Sequence, residues 1–379
     1  AEWVRQKATR RVMEALGDAW FVGGCVRNAL MGVPVADIDI ATALVPDEVA
    51  RRAVAAGLHV VPTGIAHGTV TLVSLGVPHE VTTFRRDVST DGRRASIAFA
   101  SDMAEDAARR DFTINALYAD ADGTVIDPLG GLDDVFARHV RFVGEAAARI
   151  REDYLRILRF FRFAAVYAAD KPLDPTALAA IRDNASGLKQ LSAERVTSEL
   201  LKLLDAPDPE RALSAMDAIG VLNLTLPGTD LSHLSSLLNF EQANHVPPDP
   251  LRRLAAIVGD VSHLRLSKKQ AETFAILKTG QISADTPLVL GYRHTEDLAT
   301  SILLLRASQT NTLPENWQAD IAIGASARFP IRAADLPHLS GLALGQRLKS
   351  LEQFWLQAGT RPTRDALLSL PFPSAKSDL

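Results

Sequence analysis

The chain is 379 residues long, 47% hydrophobic and 23% charged, with a formal net charge of −4. That length exceeds one ordinary hydrophobic core, and the acidic balance excludes a general nucleic-acid coat protein, so any nucleic-acid contact must come from local patches. No apolar run of about 18 residues and no basic segment leading into an apolar one occurs, so the chain is expected neither to span nor to cross a membrane; the single cysteine, Cys25, excludes an internal disulfide and fits a cytoplasmic location.

Residues 3–17 carry helical periodicity (Val4, Val12, Leu16) and end at Gly17. Residues 20–22 read as a short buried strand, Gly23-Gly24 as a turn, 26–31 as a helix and 35–40 as a second strand. A helix follows over 46–56, with Asp47 and Glu48 in its first turn, where the helix dipole favours acids. Segments 58–62, 68–75 and 77–85 are β-branched and broken by Gly and Pro, so they predict strands with a hairpin at Gly76. From 85 to 100 the pattern fails, which predicts a mobile charged loop turning at Asp91-Gly92. Residues 103–108 predict a helix and 124–127 a last strand. Past residue 140 the strands stop: 146–168, 176–185, 193–204, 209–219 and 252–258 predict helices, and helical segments parted by Pro, Gly and Ser fill the remainder. The expected architecture is α+β, with an α/β head (1–140) built on a five-stranded mixed sheet. An all-α neck (141–205), body (206–300) and tail (301–379) would follow it.

Chemistry concentrates at residues 21–42. Without Cβ atoms, Gly23 and Gly24 let backbone N–H groups approach an anion, and the following helix adds its positive N-terminus. Arg27, one turn in, would fork onto a phosphate. A Gly-Gly pair between strand and helix also serves as a plain tight turn, so this signal is weak alone. Asp37-x-Asp39 sharpens it. On a strand, Ile38 and Ile40 would face the core while both carboxylates face a cleft, and Glu80 on a later strand would supply a third. Such a cluster suits two Mg²⁺ ions that activate an attacking hydroxyl and stabilise a leaving pyrophosphate, with Asp37 and Asp39 as metal ligands.

Further motifs follow in order: Arg109-Arg110-Asp111-Phe-Thr-Ile-Asn115-Ala, Asp127-Pro-Leu-Gly-Gly-x-x-Asp134, and Glu152-Asp153-Tyr-Leu-Arg156-Ile-Leu-Arg159. With Gly-Gly-x-Val-Arg…Asp-x-Asp, and Ser192-Ala-Glu194-Arg195-Val-x-x-Glu199-Leu after them, they resemble the class II tRNA nucleotidyltransferase/poly(A) polymerase family over residues 18–205. The resemblance implies that Asp37 and Asp39 hold metal, with Glu80 a further catalytic carboxylate, and that Gly24 and Arg27 hold the triphosphate. Arg110 would reach the nucleotide, and Asp111 and Asn115 would orient the ribose 2′-OH, unless they serve as helix caps.

It also implies that Asp153 and Arg156 select the base. A carboxylate accepts from an exocyclic amine while a guanidinium donates to the adjacent ring acceptor. Cytosine and adenine both present that pair; uracil and guanine present a carbonyl where the amine should be. Placed at i, i+3 on one largely buried helix with Arg159 and Arg162, the pair would choose C and A without a nucleic-acid template. Arg159 and Arg162 would assist with base or phosphate. The alternative is a solvated salt-bridge face.

The basic stretch 85–100 resembles the loop of family members that add both C and A, with Asp87 and Arg93 as candidates for the CTP-to-ATP switch. Asn28 departs from the family's usual Asp after Arg27. Cys25 reads as a small apolar helix residue and His67 as structural, and the Thr63-Gly-Ile-Ala66-His67-Gly segment resembles the CCA-adding branch. No His-Asp doublet of a phosphohydrolase domain occurs. In the tail, 341–353 reads as a helix start whose exposed Arg347 and Lys349 would either hold tRNA phosphates or simply be solvated.

The expected function is Mg²⁺-dependent, template-independent addition of C, C and A to the tRNA 3′ end from CTP and ATP. The alternatives are poly(A) polymerase or a partial CC- or A-adding enzyme. The expected partners are the 3′ end and acceptor–TΨC arm of tRNA, with no DNA, no membrane and no obligate protein partner.

Overall fold

The computed structural model describes residues 1–65, 68–91, 94–258 and 260–371, with backbone alone at 63, 87–91 and 94–97. These fall into two compact units. The first comprises Ala1–Thr229 and Asp260–Arg265, and the remaining described residues form the second.

The first unit begins with helices α1 (Glu2–Arg5) and α2 (Lys7–Leu16), strand β1 (Ala19–Val22), helix α3 (Gly24–Met31), strand β2 (Asp39–Thr42) and helix α4 (Pro46–Ala55). Strands β3 (His59–Gly64), β4 (Thr69–Ser74), β5 (Val77–Thr83), β6 (Arg85–Asp91) and β7 (Arg94–Phe99) come next. Helix α5 (Met103–Ala108), strands β8 (Tyr118–Ala119) and β9 (Val125–Ile126) and helix α6 (Leu132–Ala137) complete the sheet-bearing part. All-helical chain then runs through α7 (Ala146–Glu152), α8 (Leu155–Tyr167), α9 (Pro175–Asn184), α10 (Ala193–Leu204), α11 (Glu210–Ala218) and α12 (Val221–Thr225). The chain is therefore α+β, as expected.

The sheet has the order β3-β4-β5-β2-β1-β8-β9. It is mixed: β2 pairs parallel to β5, and its other pairs are antiparallel. Seven strands rather than five are present. The two additional positions are the two-residue strands β8 and β9; β9 is the last strand expected over 124–127, whereas β8 is too short to show an alternating pattern in sequence. One face is covered by α2 and α4, and the buried His79 ring on β5 bonds Thr9 of α2 at 3.1 Å. On the other, Val22, Ala41, Phe84, Ala107, Ala116 and Tyr118 form an apolar cluster against which Trp20 stacks.

Three further expectations are corrected. The strand expected over 35–40 is Asp39–Thr42, so Asp37 precedes the ladder; Pro34 has no N–H to give to it. The burial alternation still holds, with Ile38 and Ile40 inside. The stretch 85–100 is not an irregular loop: β6 and β7 pair from Arg85↔Phe99 to Asp91↔Arg94, with a bulge between Asp87 and Ser89. A two-stranded ribbon outside the main sheet needs no apolar face, so its sequence shows no alternation. Arg93, the Asp87 side chain, Ala66 and His67 lie outside the described residues.

The third correction matters most for function. The helix expected over 146–168 is broken at Asp153, whose backbone is extended (φ −154, ψ 103). Asp153 and Arg156 therefore do not share a helical face. Just after the break the Tyr154 ring packs on Gly187, where a Cβ would lie 2.0 Å from it.

The second unit is helical, from α13 (Leu234–Ala243), α14 (Pro250–Ile257) and α15 (Lys268–Ile282) through α16 (Pro287–Arg293), α17 (Glu296–Thr310), α18 (Trp317–Ser326), α19 (Gly341–Gln357) and α20 (Arg364–Leu368). Gly291 and Gly324 let α16 and α18 meet backbone to backbone; a Cβ on Gly324 would sit 2.0 Å from the Leu288 carbonyl oxygen. Buried Glu241 bonds both buried Arg252 and Arg253, each at 2.7 Å. Arg347, expected on an exposed face of α19, is buried and donates to the carbonyls of Leu370 and Pro371, whereas Lys349 is exposed. Among the described residues no helix is long and apolar enough to cross a membrane.

Candidate active site

The turn between β1 and α3 is held by Gly23 at φ +70, a conformation that disfavours side chains. Its own N–H is taken by the Leu117 carbonyl at 3.0 Å, so it gives conformation and space rather than a donor. A Cβ there would lie 3.3 Å from an Arg110 guanidinium nitrogen. Gly24 opens α3, and the unbonded N–H groups of that first turn make the N-terminus the anion-facing end.

On the neighbouring strand, Asp39 stands in register with Glu80 of β5, and Asp37 is two residues upstream. Asp37 and Glu80 are exposed while Asp39 is half-buried. Burial first, then the nearby Glu80 and Asp37, push the Asp39 carboxyl up to about 6 against the pull of Arg110 and Arg27. The three carboxylates thus share one electrostatic neighbourhood. Among the described residues no three His, Cys, Asp or Glu side chains close around a metal position. The donor set is nevertheless hard oxygen, on an open edge, with a mutual repulsion that a cation would relieve. This fits a divalent ion whose coordination is completed by phosphate.

Arg27 is buried and heavily engaged. Its Nε and Nη2 donate to Asn28 Oδ1 at 3.1 and 2.9 Å, Nη2 donates to the Tyr167 hydroxyl at 2.6 Å, and Nη1 donates to Asn115 Oδ1. Its guanidinium lies 4.2 Å from the Tyr167 ring centre and 5.0 Å from that of Phe163. Burial lowers its pKa, opposed by Tyr167 and Asp111.

From Asn115 the chain of bonds continues. Asn115 Nδ2 donates to Asp111 Oδ1 at 2.9 Å, and Arg159 Nε donates to Asp111 Oδ2 at 2.7 Å. Arg162 donates to buried Glu199 of α10 at 2.6 Å, and Arg159 lies 3.9 Å from the same carboxylate. Burial raises the Asp111 carboxyl, but Arg159 and Asn115 outweigh it and hold the group below the ordinary carboxylate range. Phe163 is the platform of this cluster: Arg27, Arg159 and Arg162 all lie within 5.3 Å of its ring centre.

Arg110 is clamped separately. Buried Asp106 accepts from Arg110 at 2.9 Å, from Arg109 at 2.7 Å and from the Tyr118 hydroxyl at 2.7 Å.

Asp153 and Arg156 have other partners than each other. Asp153 Oδ1 accepts from the Leu155 N–H at 3.1 Å, starting α8, and Oδ2 accepts from Arg195 of α10 at 2.7 Å. Arg156 donates to Glu152 at 2.5 Å and to the carbonyls of Arg149 and Arg109 at 3.0 and 2.9 Å. Each retains capacity: the carboxylate has unused lone pairs, and Nε of Arg156 has no partner among the described residues.

The fold thus joins Arg27, Asn115, Asp111, Arg159, Glu199 and Arg162 in one network, and groups Asp37, Asp39 and Glu80 at one exposed edge of the site, where the interior strands β2 and β5 pair. Asn28, Asp106, Tyr167, Arg195 and Glu199 were not among the expected site residues. Asp106 was findable three and four residues before the Arg109-Arg110 pair on a helix. Tyr167 was not, because it meets Arg27 across 140 residues of chain.

Residues 19–141 match the family model described as "Poly A polymerase head domain", and residues 172–232 match "Probable RNA and SrmB- binding site of polymerase A". The chain is 35% identical over 373 residues to the mitochondrial CCA tRNA nucleotidyltransferase 1 of Danio rerio, covering 92% of this chain and 85% of the relative. To the CCA-adding enzyme of Geobacillus stearothermophilus it is 44% identical over 213 residues, 56% of this chain and 51% of that enzyme. Among solved structures, the Bacillus stearothermophilus CCA-adding enzyme in complex with CTP aligns with a TM-score of 0.72 at 28% identity over 93% of each chain. The Thermotoga maritima CCA-adding enzyme complexed with tRNA aligns at 0.66 and 19% identity, over 95% of this chain and 93% of the other, a likeness of fold alone.

Proposed function

Because the chain belongs to the CCA-adding tRNA nucleotidyltransferase family, we propose that it adds C, C and A in turn to the tRNA 3′ end from CTP and ATP, releasing pyrophosphate each time. The observation that supports this best is the network from Arg27 to Arg162, beside a carboxylate edge. Together they offer a polyphosphate end, a ribose end and a base end in one compact unit. A poly(A) or partial activity has no comparable support: the relative matched over 92% of this chain is named for CCA addition.

In this reading Asp37 and Asp39 hold divalent metal, Mg²⁺ being the ion suited to a carboxylate pair completed by phosphates. When bound, the metal supplies Lewis-acid activation of the tRNA 3′ hydroxyl and charge neutralisation of the leaving pyrophosphate. Glu80, paired with Asp39, keeps the edge anionic. The α3 N-terminus at Gly24 and the remaining N–H of Arg27 receive the polyphosphate, with Gly23 giving Arg110 room to reach the same end. Asp111 and Asn115, locked by Arg159 and Arg27, present fixed oxygen acceptors to the ribose 2′-OH.

Asp153 accepts from the exocyclic amine of C or A, and Arg156 donates to the adjacent ring nitrogen. Both are held by neighbours, Arg195 and Glu152, that keep each aimed without exhausting it. Arg159 and Arg162 flank base and phosphate. We assign catalysis to residues 1–140, base selection to 141–205 and the tRNA arm to the helical residues beyond, in a cytoplasmic setting that the lone, buried Cys25 suits.

The test is incubation with tRNA lacking its 3′ CCA and each labelled nucleotide. Incorporation of C, C and A followed by arrest is expected, and Asp39→Ala abolishes it. Long A tracts, or arrest after two Cs, would overturn the reading.

A further inference from the structure

The family resemblance leads one to expect Asp at position 28, and this chain has Asn. The structure gives the amide a reason to be there. Asn28 Nδ2 donates to the Pro34 carbonyl at 2.9 Å, a bond a carboxylate cannot make. Its Oδ1 accepts from Arg27 Nε and Nη2 and from the Tyr167 hydroxyl at 3.1 Å. Tyr167, the last residue of α8, in turn accepts from Arg27 Nη2 at 2.6 Å.

We infer that Asn28 and Tyr167 form a neutral cradle that fixes the Arg27 guanidinium without cancelling its charge, which makes both positioning residues for the polyphosphate of the incoming nucleotide. The inference rests on the proposed reading that Arg27 takes that polyphosphate. A carboxylate at 28 would form a bidentate ion pair and neutralise the guanidinium. The amide and the phenol satisfy the same donors with neutral oxygens. Three of Arg27's nitrogens carry five N–H groups, and four are engaged by Asn28, Tyr167 and Asn115. One Nη1 N–H is left without a partner among the described residues, and with it the full positive charge. Asn115 accepts from the same Nη1, so a tilt of the guanidinium would also move the ribose acceptor.

The aromatic ring adds a second restraint. At 4.2 Å from Arg27 Cζ, Tyr167 holds the cation by its face as well as its hydroxyl. Tyr167→Phe keeps the face and removes the hydroxyl, so it isolates the hydrogen bond. Asn28→Asp keeps the acceptor for Arg27 and adds the charge, at the loss of the Pro34 bond, so it is read beside Tyr167→Phe, which leaves that bond intact.

The experiment is calorimetric binding of inorganic tripolyphosphate, CTP and cytidine, with Mg²⁺ present, to the full chain and to Asn28→Asp, Tyr167→Phe and Arg27→Gln. Asn28→Asp should weaken tripolyphosphate and CTP by about tenfold each, the worth of one charge-assisted contact, and Tyr167→Phe by about threefold. The preference for CTP over UTP should not move, and cytidine, which lacks the polyphosphate and feels Arg27 only through Asn115, should weaken less than CTP. Loss of tripolyphosphate affinity in Arg27→Gln, with none in the other two variants, would overturn the cradle and leave the role of Arg27 standing. Unchanged affinity in Arg27→Gln would overturn both. Should Asn28→Asp fail to fold by circular dichroism, Tyr167→Phe decides the positioning bond and Tyr167→Glu, which sets a carboxylate beside the same guanidinium, decides neutrality; unchanged tripolyphosphate affinity in both would overturn the cradle.

Discussion

Asp153 offers the sharpest test of protein-directed base selection, because its structural and selective contributions separate. In Asp153→Ala two contacts vanish. The Leu155 N–H loses a cap-like acceptor, about 0.5–2 kcal/mol, and Arg195 loses an ion pair whose partners are 33% and 49% exposed, about 0.5 kcal/mol after solvent screening. The fold should therefore lose about 1–2 kcal/mol, visible as a modest drop in the urea midpoint. Selection loses more. A charged acceptor to an exocyclic amine is worth about 1.5–3 kcal/mol, or about 10–150-fold in relative kcat/KM for CTP over UTP. Asp153→Asn goes further. With Oδ1 kept on the Leu155 N–H, Nδ2 replaces the oxygen that faced Arg195 and presents a donor, which suits the uracil carbonyl. Single-turnover competition between CTP and UTP on tRNA lacking CCA reads both variants. If incorporation of both nucleotides falls by one common factor and their ratio holds, Asp153 is merely the joint between α7 and α8, and the selection argument fails.

Asp106 should contribute to the acid side of stability in the first unit. Burial raises its carboxyl, but Arg110, Arg109 and the Tyr118 hydroxyl outweigh this and hold it below the ordinary 3.8. Its contribution is therefore complete above that value and lost as pH falls through the lower folded value, so the urea-midpoint gap between wild type and Asp106→Asn should narrow between about pH 5 and pH 2; a constant gap refutes it. Gly187→Ala would drive a methyl into the Tyr154 ring and cost about 1–3 kcal/mol or more, with Tyr154→Ala in the same chain restoring the melting temperature. In the second unit, Glu241→Gln strips the counter-charge from two buried arginines and should cost about 3–5 kcal/mol; a melting temperature within about a degree of wild type would count against that pair of bonds.

What could be read in the sequence was what repeats or what chemistry forces into short motifs. The Ile38/Ile40 alternation exposed the acids at 37 and 39 even though the ladder itself begins at Asp39, because burial follows the pleat past the last paired residue. Long helices such as α10 announced themselves through apolar spacing and the Ser192 cap, which accepts from the Arg195 N–H. The β6–β7 ribbon did not, since a strand pair with no core to face has no reason to alternate. The break at Asp153 was equally hidden. The side chains around it, Tyr154 on Gly187 and Asp153 on Arg195, meet partners more than thirty residues away, and a local pattern of good helix formers cannot report them. Partners were the least legible layer. Arg27–Tyr167, Arg159–Asp111 and Asp153–Arg195 each join residues more than forty positions apart.

The burial of these groups is graded, and on the proposed reading the grading has a consequence. Arg27, Asp111 and Asn115 are 5%, 8% and 7% exposed, tied into one network, and would face the parts that CTP and ATP share. A rigid, pre-formed site costs little reorganisation there, since the same polyphosphate and ribose arrive three times. The base end is different. Asp153 and Arg195 are far more exposed and each is held by few bonds, so the acceptor can shift to meet a purine after two pyrimidines. Selectivity by a single carboxylate then needs its aim fixed by a neighbour that can itself move, and a half-exposed arginine on α10 is such a neighbour. Polyphosphate and sugar recognition can thus be built into the core of the first unit, while base recognition must stay near its surface.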